Sequence, residues 1–271
     1  MQNGAHSNTI LNRIVAARRE SVARRKRVLP DVALKLASQK QGPPRDFAAA
    51  VSRSGCNVIA ELKKASPSLG LIREDYEPAA LAASLEAAGA AALSVLTEED
   101  FFQGSLADLK HARKSVAIPI LRKDFIVDPW QVWEARAAGA DSFLVIVAVL
   151  DDELLAELLG LGRELGMEPL VEVHSREELT RASNAGARII GVNNRDLRDF
   201  KVTLQTSLDL IREIPEESVA ISESGLRTGE DLDRLRSAGF DAFLIGEHLM
   251  KQQQPASGLR ELIGAVGARE K

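Results

Sequence analysis

Ala-Gly recurs at one fixed point of a pattern that appears four times in this 271-residue chain. The segments EAAGAAALSVL (86–96), RAAGADSFLVIV (136–147), SNAGARIIGV (183–192) and RSAGFDAFLIG (236–246) share one form. Each ends a helical stretch in Ala-Gly, passes through one or two residues and enters an apolar run. Glycine suits a helix C-terminus because it takes positive φ without a Cβ clash. Gly89, Gly139, Gly186 and Gly239 recur roughly every 50 residues, the length of two βα units in a barrel of eight. Other apolar runs fall between the repeats. Together they give eight candidate strands: 58–62, 91–96, 118–121, 142–149, 169–173, 189–192, 219–222 and 242–245. The stretches between them are amphipathic, as Leu154, Leu155, Leu158 and Leu161 illustrate. Such alternation predicts parallel βα units. The expected fold is an α/β (βα)8 TIM barrel in which the repeats mark the even strands. An open doubly wound sheet is the alternative, but no GxGxxG loop follows the first strand.

The chain before the first strand reads differently. Residues 1–7 look like a loose tail, and a helix is predicted to begin at Ser7-Asn8-Thr9 with Ile10, Ile14, Val15 and Val22 on one stripe. Its other side is basic: Arg13, Arg18, Arg19, Arg24, Arg25, Lys26 and Arg27. A nucleic-acid arm or a transit peptide would use such a face. Glu20 and Asp31 interrupt the charge and no aromatic interleaves it, so the favoured reading is a solvated face whose stripe packs on the main domain. Pro30-Asp31 starts a second helix to about Gln39, Gln41 to Pro44 is a linker, and 47–51 forms a third short helix. The expected division is a helical extension at 1–52 packed on one catalytic barrel at 53–271.

Bulk properties exclude several classes. A net charge of −4 gives no strong field for nucleic acid or an acidic membrane. One cysteine, Cys56, permits no intrachain disulfide and fits a reducing compartment. His6, His111, His174 and His248 have no Cys or His partner at ligand spacing, so no His/Cys metal site is expected. No apolar run approaches ~18 residues, and no secretory h-region is expected at the N-terminus.

The chemistry concentrates at strand ends. In IPILRKDFIV (118–127) the third strand runs into Arg122, Lys123 and Asp124 and then resumes as Phe125-Ile126-Val127. Unpaired buried charge is costly, so these residues line a site or lie on an exposed loop. Other strands end alike: Glu61-Leu62-Lys63 on the first, Glu172-Val173-His174 on the fifth, Asn193-Asn194-Arg195 on the sixth and Glu223-Ser224-Gly225 on the seventh. A barrel gathers all these ends at its C-terminal mouth. Alternation puts Glu61 and Lys63 on one face with Leu62 on the other, and sets Glu172 opposite Val171 and Val173. A lysine among carboxylates in a partly closed cavity suits general acid–base work.

Two glycines point to a phosphorylated ligand. Gly225 follows the seventh strand, and Gly246 ends the eighth before a short helical segment, where barrels hold phosphate on backbone N–H groups. Glu247 opens that helix and is expected to turn its side chain away from a phosphate. The first loop, 64–78, holds Ser66, Pro67 and Gly70 and reads as a candidate lid. Phe102 and Phe125 are candidate apolar walls.

These residues lie in motifs with a recognisable order: AELKKASPS (60–68), LSVLTEEDFFQGS (93–105), ILRKDFIVDPWQV (120–132), LVEVHS (170–175), GVNNRDL (191–197), ISESGL (221–226) and FLIGEHLM (243–250). Over almost its entire length, the helices before the first strand included, the chain resembles indole-3-glycerol-phosphate synthase, a family of tryptophan biosynthesis. The resemblance implies ring closure of 1-(2-carboxyphenylamino)-1-deoxyribulose 5-phosphate with loss of carbon dioxide and water, and no cofactor or metal. It implies Lys123 as general acid on the substrate carbonyl, Glu172 as proton-transferring partner and Lys63 as holder of the substrate carboxylate. Glu61 and Asn193 would orient these groups. The division of acid and base among Lys63, Lys123 and Glu172 stays open. Residue by residue, the expected site has catalytic Lys123, Glu172, Lys63, Glu61, Asn193 and Ser224. Ser66, Phe102, Phe125, Arg195 and Glu223 bind substrate, and Gly225, Gly246 and Glu247 bind phosphate. Some members carry serine at the Glu247 position. The implied partner is a phosphorylated small molecule, with no nucleic acid or membrane. The implied state is a cytoplasmic monomer, with association to other tryptophan-pathway enzymes left open. Two rival readings remain: a Schiff-base lyase or aldolase using Lys123 as nucleophile, and a non-catalytic phosphosugar-binding barrel.

Overall fold

A computed structural model describes residues 9–196 and 200–266. The tail expected at residues 1–7, with Asn8, and Leu197 of the GVNNRDL motif lie outside the described residues. Helix α1 (Ile10–Val28) starts where the Thr9 hydroxyl accepts the Asn12 N–H, and α2 (Asp31–Gln39) and α3 (Phe47–Val51) follow. Strand β1 (Asn57–Leu62) leads into a small hairpin, β2 (Ala65–Ser66) and β3 (Gly70–Leu71). Strands and helices then alternate: α4 (Pro78–Ala87), β4 (Ala92–Leu96), α5 (Leu106–Ser115), β5 (Ile120–Lys123), α6 (Pro129–Ala138) and β6 (Ser142–Ile146). The second half continues with α7 (Asp152–Glu164), β7 (Leu170–Val173), α8 (Arg176–Asn184), β8 (Ile189–Asn193) and α9 (Gln205–Leu210). It closes with β9 (Val219–Glu223), α10 (Gly229–Ala238), β10 (Ala242–Ile245), α11 (Glu247–Met250) and α12 (Pro255–Gly264).

The eight long strands form a closed parallel barrel, with β1 bonded to both β4 and β10. Each predicted strand is present. The third starts later than its apolar run, at Ile120, and the Pro119 carbonyl accepts from Leu93 instead. The fourth stops at Ile146, and 147–149 turns into a 3-10 segment. The four repeat glycines all have positive φ, 92° at Gly139 for example, as helix ends feeding even strands require.

Alternation divides the apolar residues into two layers. Val58, Ala60 and Leu62 of β1 face outward into the helix-packed core. Ile59, Leu121, Leu170 and Ile221 face inward, where Phe47 and Val51 of α3 join the same cluster. Two positions further along the same strands stand Glu61, Lys123, Glu172 and Glu223. The barrel interior is therefore apolar below and charged at its C-terminal end, as a period of two dictates.

The basic side of α1 corrects one expectation. Arg13, Arg19, Arg24 and Arg27 are exposed, but three other cations dock on the barrel. Arg18 is 2% exposed and lies 2.9 Å from Asp124 Oδ1. Arg25 pairs with Glu134 and sits over the Trp130 ring, and Lys26 Nζ lies 2.9 Å from Asp128 Oδ2. Arg18 stands four residues from both Ile14 and Val22, so it shares their buried stripe, and Asp124 supplies the countercharge that burial there demands. Among the described residues no helix is long and apolar enough to cross a membrane.

Candidate active site

At the C-terminal end of the barrel lies a cavity of about 440 Å³. All fourteen predicted site residues line it: Glu61, Lys63, Ser66, Phe102, Lys123, Phe125, Glu172, Asn193, Arg195, Glu223, Ser224, Gly225, Gly246 and Glu247. Lys123 ends β5 and donates to Glu172 Oε2 on β7 at 2.8 Å and to Glu223 Oε2 on β9 at 2.7 Å. Beside them Lys63 Nζ meets Glu61 Oε1 at 2.6 Å.

This arrangement sets the proton states. Burial disfavours the Lys123 ammonium, but Glu172, Glu223 and Glu61 outweigh it and hold its pKa above the ordinary lysine value. Burial also opposes ionisation of Glu172, yet Lys123 and His174 keep that carboxyl well below the usual range. Glu223 goes the other way. Burial raises it, Lys123 only partly compensates, Glu172 and Glu61 add repulsion, and its pKa is pushed up to about 7. Among the described residues its second oxygen, Oε1, is buried without a hydrogen-bond partner. Two carboxylates on one lysine are thus driven apart in acidity.

Two glycines make room for these side chains. A Cβ on Gly191 of β8 would overlap the Glu223 carboxylate, and one on Gly246 would overlap Glu61. Gly246 therefore has a packing task besides the phosphate role expected for it, and Gly191 is a neighbour that the motifs did not single out.

The loops complete the walls. The Phe102 and Phe125 rings lie 6.1 Å apart and tilted, forming one aromatic side. Buried Glu98 fixes the second loop by accepting backbone N–H groups of Asp100, Phe101 and Phe102. The first loop is the β2–β3 hairpin, with Ala65 N donating to the Phe102 carbonyl and Arg73 Nη1 to the Gln252 carbonyl. Ile10, Leu11 and Ile14 of α1 reach the same cavity. After β9, Ser224 has φ 68° and Gly225 φ 81°. Buried Asn194 pins this turn by donating to the Glu223 and Ser224 carbonyls. Asn193 Oδ1 accepts the Arg195 backbone N–H at 3.0 Å.

Glu247 does not turn away. It lines the cavity and accepts from Arg195 Nη2 at 3.1 Å and from Lys251 Nζ at 2.8 Å. Burial raises its pKa, but Lys251, Arg195 and Lys63 outweigh that and lower it. The expected repulsion is removed because two cations neutralise the carboxylate. Sequence reading also missed His174, which contacts Glu172; its signal was Glu178, four residues on, at the start of the next helix. Among the described residues no group of three or more His, Cys, Asp or Glu side chains is arranged to hold a metal ion.

Fold and cavity together define the class, a (βα)8 barrel with acidic and basic side chains gathered at its C-terminal mouth. The chain belongs to the indole-3-glycerol phosphate synthase family, whose model matches residues 11–262. The indole-3-glycerol phosphate synthase of Roseiflexus sp. is 49% identical over 95% of this chain and 99% of its own length. That of Koribacter versatilis is 53% identical over 82% of this chain and 86% of its own. Among solved structures, 3-hexulose-6-phosphate synthase from Salmonella typhimurium shares the fold with a TM-score of 0.62 at 13% identity, over 78% of this chain and 98% of that one.

Proposed function

We propose that the protein is a carbon–carbon lyase of the carboxy-lyase type. It closes the indole ring of 1-(2-carboxyphenylamino)-1-deoxyribulose 5-phosphate, releasing carbon dioxide and water. The observation that carries this reading is the Lys123 ammonium held between Glu172 and Glu223 beneath an aromatic wall. The reaction moves protons to oxygen and from carbon, and that set has both kinds of group.

Lys123, kept protonated by its carboxylates, donates to the substrate carbonyl oxygen as the carboxyl-bearing aromatic carbon attacks the carbonyl carbon. The new carbon–carbon bond forms, the carboxylate leaves as carbon dioxide, and the ring regains aromaticity. The hydroxyl then departs as water with a proton from the Lys63 ammonium, and the neighbouring ring carbon gives up a proton to Glu172. Lys63 holds the substrate carboxylate, with Glu61 and Asn193 orienting these groups. Glu223, Ser66 and Ser224 line the polar side, and Phe102 and Phe125 flank the aryl ring. Backbone N–H groups at Gly225 and Gly246–Glu247, with Arg195 nearby, receive the phosphate. A Schiff-base nucleophile needs a neutral amine, which the carboxylates around Lys123 oppose. Residues 1–52 belong to the same catalytic unit, and the protein works as a cytoplasmic monomer.

The test is a fluorescence assay for indole-glycerol phosphate from synthetic substrate. Product and carbon dioxide should appear in equal amounts. Absence of product, or a borohydride-trapped covalent adduct on Lys123, would overturn the reading.

A further inference from the structure

We propose that His174 is a positioning residue for Glu172, holding that carboxylate in register with Lys123 and keeping it ionised. This rests on the proton-transfer role given above to Glu172. His174 follows β7 directly, two residues beyond Glu172, and does not line the cavity. Its two ring nitrogens face two carboxylates. Nδ1 lies 3.1 Å from Glu178 Oε2, and Nε2 lies 3.3 Å from Glu172 Oε1 as an ion pair. The other oxygen of Glu172, Oε2, takes the Lys123 bond. Each Glu172 oxygen therefore has its own cation.

The far end of this chain is anchored by helix capping. Ser175 caps α8 by accepting the Glu178 N–H, and Glu178 Oε2 returns to accept the His174 backbone N–H at 2.8 Å. A cap of this kind needs only that backbone bond. The imidazole has no task in it, yet it is aimed at Glu172. Nε2 is buried and, among the described residues, has no hydrogen-bond partner, so its contact with Glu172 is electrostatic; the doubly protonated ring turns charge toward both carboxylates, whereas a neutral ring would turn a lone pair on one of them. The direction of its pKa agrees. Burial lowers it, but Glu172 and Glu178 outweigh burial and raise it to about 10. The result is an alternating row: Glu178 from α8, His174 and Glu172 from the β7 end, Lys123 from β5 and Glu223 from β9, with Glu61 from β1 alongside Lys123.

Removing the His174 charge makes Glu172 harder to ionise, so the acid limb of kcat/KM moves to higher pH. Steady-state formation of indole-glycerol phosphate is measured from about pH 3 to about pH 9 for wild type, His174→Ala, His174→Gln, Glu178→Gln and, as reference, Glu172→Gln. His174→Ala should lower kcat about 10-fold, the scale of lost outer-shell partners, with KM little changed. His174→Gln keeps a donor toward Glu172 without the charge. It should recover part of kcat while its acid limb stays displaced by about one pH unit. Glu178→Gln leaves His174 charged throughout the acid limb, so its limb should stay with wild type while kcat falls a few-fold from the loosened ring, and His174→Gln carries the pH test if His174→Ala does not fold. An inactive Glu172→Gln beside a His174→Gln variant with the wild-type pH profile would overturn the positioning role alone. A Glu172→Gln variant with normal turnover would overturn the reading of Glu172 itself, and this inference with it.

Discussion

Arg122, buried, and Lys123, half-buried, are adjacent cations on one strand, yet their surroundings are opposite in kind. Arg122 faces the helices and every nitrogen it carries is used. Nε donates to Thr97, Nη1 to the Gln131 carbonyl at 2.9 Å, and Nη2 to Asp124 at 3.0 Å and Glu134 at 2.8 Å. Asp124 is closed off in turn by Arg18 from α1. Lys123 faces the cavity, shared by two carboxylates of which one keeps an unpartnered oxygen. The difference separates structural charge from working charge. The Arg122 guanidinium is fully used without a ligand, so it fixes geometry. The cavity set carries surplus negative charge and unequal acidities, so it can exchange protons with whatever fills the space.

Three substitutions measure how deep that contrast runs. Lys123→Ala should cost turnover most, about 10³-fold in kcat, with the folded state retained by circular dichroism. Turnover within a few-fold of wild type would remove Lys123 from the chemistry. Arg122→Ala should reverse the pattern. It leaves Glu134 and Asp124 short of a buried cation and should lower unfolding free energy by about 3–5 kcal/mol in urea titrations. A stability loss near zero would mean that the sealed network is not what holds the β5 tip. The smallest effect belongs to Glu247→Ser, which frees Arg195 from its carboxylate. KM for the phosphorylated substrate should fall about two- to five-fold, and a rise would show that Glu247 orients Arg195 rather than competing for it.

Much of this contrast was legible in the sequence, and the illegible part has a physical pattern. Strands announce themselves as apolar runs, and the period of two places Glu61, Lys123, Glu172 and Glu223 on the inner face of their strands once a barrel is accepted. Long-range countercharges do not announce themselves. Arg18 sits within its own apolar stripe, a visible clue, but its partner Asp124 follows β5, on the other side of eight intervening elements. Glu247 was expected to turn outward because Arg195, 52 positions away, is invisible to local reading. The β2–β3 hairpin has two residues per strand, too few for any periodicity to register. Gly191 reads as an unremarkable strand residue until the Glu223 carboxylate is seen in the space its side chain would take.

The docking of α1 also has a consequence in time. A ribosome delivers Arg25 and Lys26 of α1 109 and 102 residues before their partners Glu134 and Asp128. At about 5–20 residues per second, that is a wait of roughly 5–20 s. During it α1 has only local support, from the Thr9 cap and from Arg25, Lys26 and Arg27 at its C-terminal end. Helix α1 is thus secured only once synthesis has reached α6. A nascent chain has its Lys123 strand before it has the clamp that completes the charge network behind that strand.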